Sequence, residues 1–578
     1  MVQVIFKRTA EILLIGTLVM SATNVSSAIV FAVEQGGAPE APPEGGGGPG
    51  GADTMTYDYS GELKGSLVAD NQESSSKSES HSSTTGDENT VLVKNGGKLT
   101  LTEAALEKSG ESANDDNSNF YGLNSILLSV NENSLAYLSN SQLTASDKGS
   151  NGLFATDKGM IYANDNTIAT EADNSRGMDA TYGGTIIANK TTINTKGDHS
   201  AALATDRGGG NISVTDSQFT THGSGSPLLY STGDIEVNNV KGTSTGSQIA
   251  GMEGFNSIQI YNSDLTSELT EATASDPIAN GVIIYQSTSG DAESTTGETA
   301  TFEAVNSTLK SATEGTMFYV TNTEANIVLQ DTKLDFDNDR AALMTIQGNN
   351  SNNWGTAGSN GGIVNFTGID QKLAGKISVD SISSLNLTLT EGSTYSGSTE
   401  ITTNDVNTNP TDSPITINVD KTSKWVVTED SQVTNLNVAS GGKIVDGEGK
   451  TVNVVANGEK VVEGTGATTV TVSGAYSTQV NLDDANQLSD PSIDRTAFDQ
   501  HFQLATAFTN KTTTSESTKS SSENNSTATT TNSITSSNQA AASSEKSNHY
   551  LWYGLVGVVV IVGGFIFIQH RRRPTRRH

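Results

Sequence analysis

The chain contains no cysteine. Disulfides therefore contribute nothing to its stability, and thiol chemistry and cysteine-based metal sites are excluded. Aromatic residues are scarce, 6% of 578, and apolar residues reach only 34%. Both figures argue against a thick, leucine-rich core and for short turns and polar ladders. Basic residues are few as well. There are 33 Lys and Arg against 65 Asp and Glu, for a formal net charge of −32. Five of those 33 (Arg571, Arg572, Arg573, Arg576 and Arg577) close the chain, and no acid follows Tyr550. The rest lacks the basic footprint that nucleic acid requires, so no nucleic-acid partner is expected. Its charge favours solubility and self-repulsion.

The two ends carry targeting patterns. Lys7 and Arg8 precede a short apolar core at 12–20, and small residues follow, with cleavage placed after Ala28 or Ala32. Residues 1–32 therefore read as a secretory signal peptide. Near the other end, LWYGLVGVVVIVGGFIFI (551–568) is uncharged over eighteen residues and is followed by the arginines. That predicts one membrane-spanning helix at 550–569 and a cytoplasmic tail at 570–578. Residues 33–53 are a Gly/Pro-rich linker, and 509–549 a Ser/Thr-rich stalk too polar to bury a core. The expected location is the cell membrane, single-pass, with the N-terminal ectodomain outside and the chain's own membrane as one partner.

Between these segments the chain repeats. MIYANDNTI (160–168), TIIANKTTI (185–193), NISVTDSQF (211–219) and DIEVNNVKG (234–242) share two apolar residues at alternate positions and then a polar bend. SIQIYNSDL (257–265), TFEAVNSTL (301–309) and NIVLQDTKL (326–334) do the same. One apolar column is Ile161, Ile186, Ile212, Ile235, Ile258, Phe302 and Ile327. A second is Ala163, Ala188, Val214, Val237, Ile260, Ala304 and Leu329. The bends fall at Asp165, Lys190, Asp216, Asn239, Asn262, Asn306 and Asp331. Alternation means strands with every second side chain inward. A period near 24 predicts an all-β, right-handed parallel β-helix over 54–480, and the 44-residue interval before Phe302 is either two short coils or one with an insertion. A β-propeller blade would need about 40–45 residues. Coils after Gly375 are expected to be shorter and more regular. Phe498, Phe502, Leu504 and Phe508, at roughly helical spacing, make 481–508 a cap for the solenoid's open end.

The coils at 161–346, with their Asn/Asp bends, resemble the pectin-lyase-like right-handed β-helix superfamily. The run Trp425, Val427, Thr428, Asp430, Ser431, Val433 and Leu436 is similar to coils of autotransporter passenger domains. Signal, solenoid, stalk and anchor together resemble adhesin-like surface proteins of Gram-positive bacteria, although SSEKSNHYLWYG (543–554) carries no Leu-Pro-x-Thr-Gly sorting motif. The resemblance implies a membrane-tethered adhesin or display protein that binds an extracellular glycan or a host or microbial surface protein. It also implies two alternatives: a surface-anchored polysaccharide lyase or glycoside hydrolase, or a structural surface protein without ligand.

Catalytic motifs of such hydrolases are not assembled here. Asn262-Ser263-Asp264 and Asp115-Asp116 fall in distant coils, and Thr221-His222-Gly223 stands where a Gly-His-Gly would be needed. The acid-rich DFDND (Asp335 to Asp339) reads as a solvated turn. No catalytic residue, metal or cofactor is assigned. The strip richest in functional groups is KGDHSAALATDRGGGN (196–211) with its neighbouring coil. Arg176, Tyr182, Asp198, His199, Asp206 and Arg207 are the candidate ligand-binding residues. Aligning coils puts Asp198 in a turn column with Gly149, Asn174 and Ser224, and His199 with Ser150, Ser175 and Gly225. It puts Ala155, Ala180, Ala204 and Tyr230 in a core-facing column, and Asp206 with Asp157, Tyr182 and Thr232.

Overall fold

The computed structural model describes residues 55–510, apart from 289, 293–298, 352–353 and 410. The signal peptide, the linker, the membrane-spanning helix, the tail and all but the first two residues of the stalk lie outside the described residues. Among those described, no helix is long and apolar enough to cross a membrane.

Strands dominate, and they stack in register as coils of a parallel β-solenoid. A first sheet of thirteen strands runs from Lys64–Asp70 to Thr399–Thr402. A second runs from Glu73–Lys77 through Ser384–Thr390 to Tyr476–Ser477, and a third from Ser80–Ser83 to Lys333–Asp335. Met160–Thr170 and Gly184–Thr195 pass from the second sheet into the third, turning at Asp165 and Lys190. Every pairing within these three sheets is parallel; the described residues contain one antiparallel strand pair, Asn453–Ala456 with Glu459–Val462, and one isolated antiparallel bridge, Val445 with Thr451.

Both apolar columns stack as the repeat predicts. Ile161 faces Ile186, Ile186 faces Ile212, and the row continues through Ile235, Ile258, Phe302 and Ile327 without a slip. All seven are buried. Each such side chain contributes about 1.5–3 kcal/mol on burial, yet no coil could bury its own row alone. The 44-residue interval is one coil with an insertion, because Ser257–Tyr261 pairs directly with Thr301 to Val305. All seven bend residues take left-handed backbone, φ 43° to 60°, a conformation that Asn and Asp tolerate best. Lys190 adopts it too, held by identical neighbours above and below.

Polar ladders do the stapling that cysteine does not. One residue past four of the seven bends, a buried side-chain oxygen accepts a backbone N–H from the coil before. Examples are Asn166 from Ser141 (2.9 Å), Ser217 from Thr191 (2.9 Å) and Ser263 from Val240 (2.9 Å). At another corner the Ser200 hydroxyl accepts the Ser175 N–H at 2.9 Å, and Ser226 accepts that of Ser200 at 2.9 Å. Ser200→Ala should therefore leave a buried N–H without its acceptor and cost about 2 kcal/mol. A urea midpoint equal to that of the parent chain would show that the ladder carries no stability.

Two expectations are corrected. Coils after Gly375 are less regular, with register steps of 21, 30 and 19 residues from Phe366 to Leu387, Ile417 and Leu436. Loops of unequal length between unchanged strands account for this. Residues 481–508, expected across the open end, instead run back along the outer face of the second sheet. Asn486 bonds Thr367 (2.8 Å), the Ser489 N–H reaches Glu303 (2.9 Å), and those of Ser492 and Ile493 reach Glu236 (2.6 and 3.0 Å). The Arg495 guanidinium then bonds Ser213 and Ala188, and a short helix at Thr496–Phe502 puts Phe498 against Tyr162 and Ile187, with His501 stacked on Tyr137 at 3.7 Å. The physical reason is the sheet itself. Its outer face carries Tyr137, Tyr162, Ile187, Glu236 and Glu303, a mixture of apolar rings and acids that needs both packing and donors. The strap supplies both.

Candidate functional site

Outward-facing residues of the first sheet form a row: Phe154, Asp179, Ala204, Tyr230, Gly251, Ile283 and Tyr319. Small residues at Ala204 and Gly251 leave the sheet surface hollow on either side of Tyr230. Longer connections rise around the hollow. A one-turn helix at Asp115–Phe120, capped by the Asn114 side chain, borders one side. Insertions around Thr273 to Asp276, Tyr285 and Trp354 border the other. The result is a cleft of about 320 Å³.

Arg176 forms part of its floor, 8% exposed. Its guanidinium donates to Asn119 (2.7 Å) and to Asp206 (3.1 Å), and lies 3.4 Å from the Asp179 carboxylate. Asp179 is fully buried, and burial raises its carboxyl well above the usual range against the pull of Arg176. Asp206 is pushed up to about 6, by burial above all and by the Asp291 charge, with Arg176 opposing. Glu253, 2% exposed, accepts from the Tyr230 hydroxyl (3.2 Å) and from the Ser287 N–H (3.2 Å) and hydroxyl. Burial, helped by Asp291, pushes it up to about 7. Asp276 accepts from Asn280 (2.8 Å) and is also raised by burial to about 7. Tyr285 and Trp354 stack at 4.2 Å and 13°. The Trp354 indole N–H is buried with no hydrogen-bond partner among the described residues. The cleft thus offers an aromatic wall and acids that carry or release a proton near neutrality.

The six expected residues divide. Arg176, His199 and Asp206 line the cleft. Arg207 lies behind it, its guanidinium 3.7 Å over the Phe120 ring and 2.7 Å from Asp291. Tyr182 belongs to a neighbouring cluster, stacked on Tyr121 (5.7 Å) with Tyr57 edge-on (5.5 Å). Asp198 sits in an exposed turn, its carboxylate accepting the Ser224 N–H at 2.7 Å. The DFDND run is a turn, with Asp337 accepting the Asp339 N–H at 3.2 Å and Asp335 paired to Lys333.

Several predicted columns shift. His199, not Asp198, stacks with Gly149, Asn174 and Gly225, all in left-handed backbone (φ 53°, 74°, 54° and 62°). Ser200 is the residue in row with Ser150, Ser175 and Ser226. Ala155 does pair with Ala180, but Ala180 pairs with Thr205, while Ala204 pairs with Asp179 and Tyr230 on the outer face. Asp206 follows Thr205 in the row of Thr156 and Thr181, and keeps the predicted match to Thr232. The left-handed turn positions are Asp157, Tyr182 and Gly208. The strand geometry explains the errors: a one-residue slip moves a side chain to the opposite face. Tyr230, Glu253, Asp276, Tyr285 and Trp354 were not anticipated. The signal for Asp276, Tyr285 and Trp354 was the excess length of two coils, from Ile258 to Phe302 and from Ile327 to Phe366; Tyr230 and Glu253 lie on strands of coils of ordinary length.

The sequence matches no protein-family model and no curated protein.

Proposed function

We propose that the chain is a membrane-tethered surface adhesin whose right-handed β-helix presents this cleft to extracellular carbohydrate. The observation carrying the reading is the stacked Tyr285–Trp354 ring pair beside the polar floor of the cleft. Sugars have one apolar face for an aromatic wall and hydroxyl groups for the polar floor, and 320 Å³ lies at the small end of ligand sites. The signal, stalk and anchor patterns support display outside the cell.

A glycan array probed with the full chain in mild detergent should show binding to a restricted set of sugars. Trp354→Ala should weaken it at least 10-fold, while Asp198→Ala, on the exposed turn, should leave it unchanged. Binding to matrix proteins alone, or to nothing, would sink the reading. The second reading, a surface polysaccharide lyase or hydrolase, is favoured by the raised carboxyls of Glu253 and Asp206, since general acids need a proton near neutral pH. New reducing ends or unsaturated products from the bound glycans would establish it.

A further inference from the structure

We infer that the outer face of the third sheet is a self-association surface, on which a second copy of this chain docks face to face with its solenoid running antiparallel. The inference stands apart from the cleft, which lies on the first sheet.

The three sheets have different fates. The first carries the cleft, and the second is overlaid by the strap. The third stacks ten strands in continuous register, from Ser80–Ser83 to Lys333–Asp335. Its outward side chains are exposed or half-buried, two to a strand, as alternation requires. Thr144, Ala169, Asn194, Thr220, Thr243 and Thr266 make one column, uncharged over six coils. Beside it, Gln142, Thr167, Thr192 and Gln218 are uncharged over four. The whole face carries three lysines (Lys241, Lys310 and Lys333) and three acids (Glu107, Asp264 and Asp335). It is therefore neutral, in a chain of net charge −32. Two such chains repel each other over most of their surface, and a neutral face is where they approach at least cost.

The charges on the face also fit a two-fold axis. In an isologous pair each residue meets its partner's counterpart reciprocally. With the solenoids antiparallel, the first strand of the sheet faces the tenth, and the second faces the ninth. Glu107 on the second strand then faces Lys310 on the ninth, twice by symmetry. Gln142 faces Asp264, and Thr167 faces Lys241, so no charge meets its like. Glu107 and Lys310 are exposed and have no ion pair among the described residues, so the new pairs displace none. Lys333 is already held by Asp335 and faces Ser80. Ten strands at ~4.8 Å and four residues at ~3.3 Å give a face of about 43 by 13 Å. Two copies would bury about 1,100 Å², at the lower limit of specific interfaces. One pair is thus weak, and many copies together gain by multivalency.

Sedimentation equilibrium of the full chain in mild detergent tests this. The expected result is a reversible dimer with a Kd on the order of 10–100 µM. Lys310→Glu and Glu107→Lys change exposed side chains and leave the coils intact. Each should weaken the dimer about 10-fold, because each sets like charges face to face at two places. Mixing the two variants in equal amounts should restore the parent affinity within about 2-fold, since every charge again meets its opposite across the interface. A chain that stays monomeric to about 200 µM overturns the inference. A dimer indifferent to both substitutions also overturns it, because association then runs through another part of the chain. Loss in each variant that mixing does not restore removes the antiparallel pairing and the inference with it. Glycan binding is untouched by any of these outcomes.

Discussion

Raising the pH from 5 to 8 should lower the thermal midpoint of this protein, although most acidic proteins lose stability in the other direction. Glu253 and Asp206 have folded-state pKa values of about 7 and about 6, against roughly 4.3 and 3.9 for unfolded chains. A carboxyl raised on folding holds its proton more tightly in the native state. Its contribution is fully present below the unfolded value and is lost as pH climbs through the folded one. The window is therefore about pH 4 to 7. Glu253 alone accounts for about 4 kcal/mol across it, and Asp206 for a similar order. Both side chains are almost fully buried, so solvent screens little of this. Differential scanning calorimetry between pH 5 and 8 measures the effect. Glu253→Gln keeps the shape and removes one proton equilibrium, so it should flatten part of the profile and leave the share carried by Asp206, Asp276 and Asp179. An unchanged slope in that variant, or a midpoint that rises with pH in the parent, would contradict the burial described for the cleft.

Arg495→Ala should release the strap without unwinding the solenoid. The guanidinium is 3% exposed and donates to Ser213 O (2.8 Å), Ser213 Oγ (2.9 Å), Ala188 O (3.0 Å), Thr215 (3.1 Å) and Thr506 (2.9 Å). Its carbon lies 5.0 Å over the Phe498 ring. Burial pushes its pKa down to about 10, with Asp499 and Glu236 opposing, so it stays charged at neutral pH. Hydrogen bonds from a charged group are worth about 1.5–3 kcal/mol each, and they are not additive. Losing the set should cost about 3 kcal/mol in local opening, roughly a 100-fold loss of protection. Hydrogen exchange should show that loss over residues 489–508, with protection in the coil interior retained. Equal loss in the strap and the coils would mean the two form a single cooperative unit.

How much of this was legible follows from what each signal depends on. Rows of Ile and Val at alternate positions are read directly because every coil repeats the same burial demand, and the register from Ile161 to Ile327 came out residue for residue. Bends were equally readable, since Asn and Asp mark left-handed backbone and the neighbours in the stack carry Lys190 along with them. The first sheet was harder. Its strands around Ala180 and Ala204 are three residues long, and the extra glycine at Gly208 shifts the count after Asp206. Ala is at home on either face, so composition could not show that Ala204 points outward while Ala180 points in. Trp354 and Glu253 were invisible for another reason. Trp354 reaches the cleft through an insertion that breaks the period, while Glu253 ends an ordinary first-sheet strand whose coil gives no sign of what lies over it. The strap was seen as a helical pattern but misplaced, because its partners are side chains on coils some 200–300 residues earlier, such as Glu236 and Ser213.

The strap also fixes where load enters the molecule. Asn510 bonds the Leu488 carbonyl at 3.2 Å, and Phe508 lies 5.3 Å from Tyr261, so the last described residues sit beside coils near the solenoid's middle. Tension drawn through the chain beyond Asn510 would reach Tyr261, Glu303 and Glu236 before it reached either the first coil or the last. Both ends of the rod would remain slack while its flank bore the force.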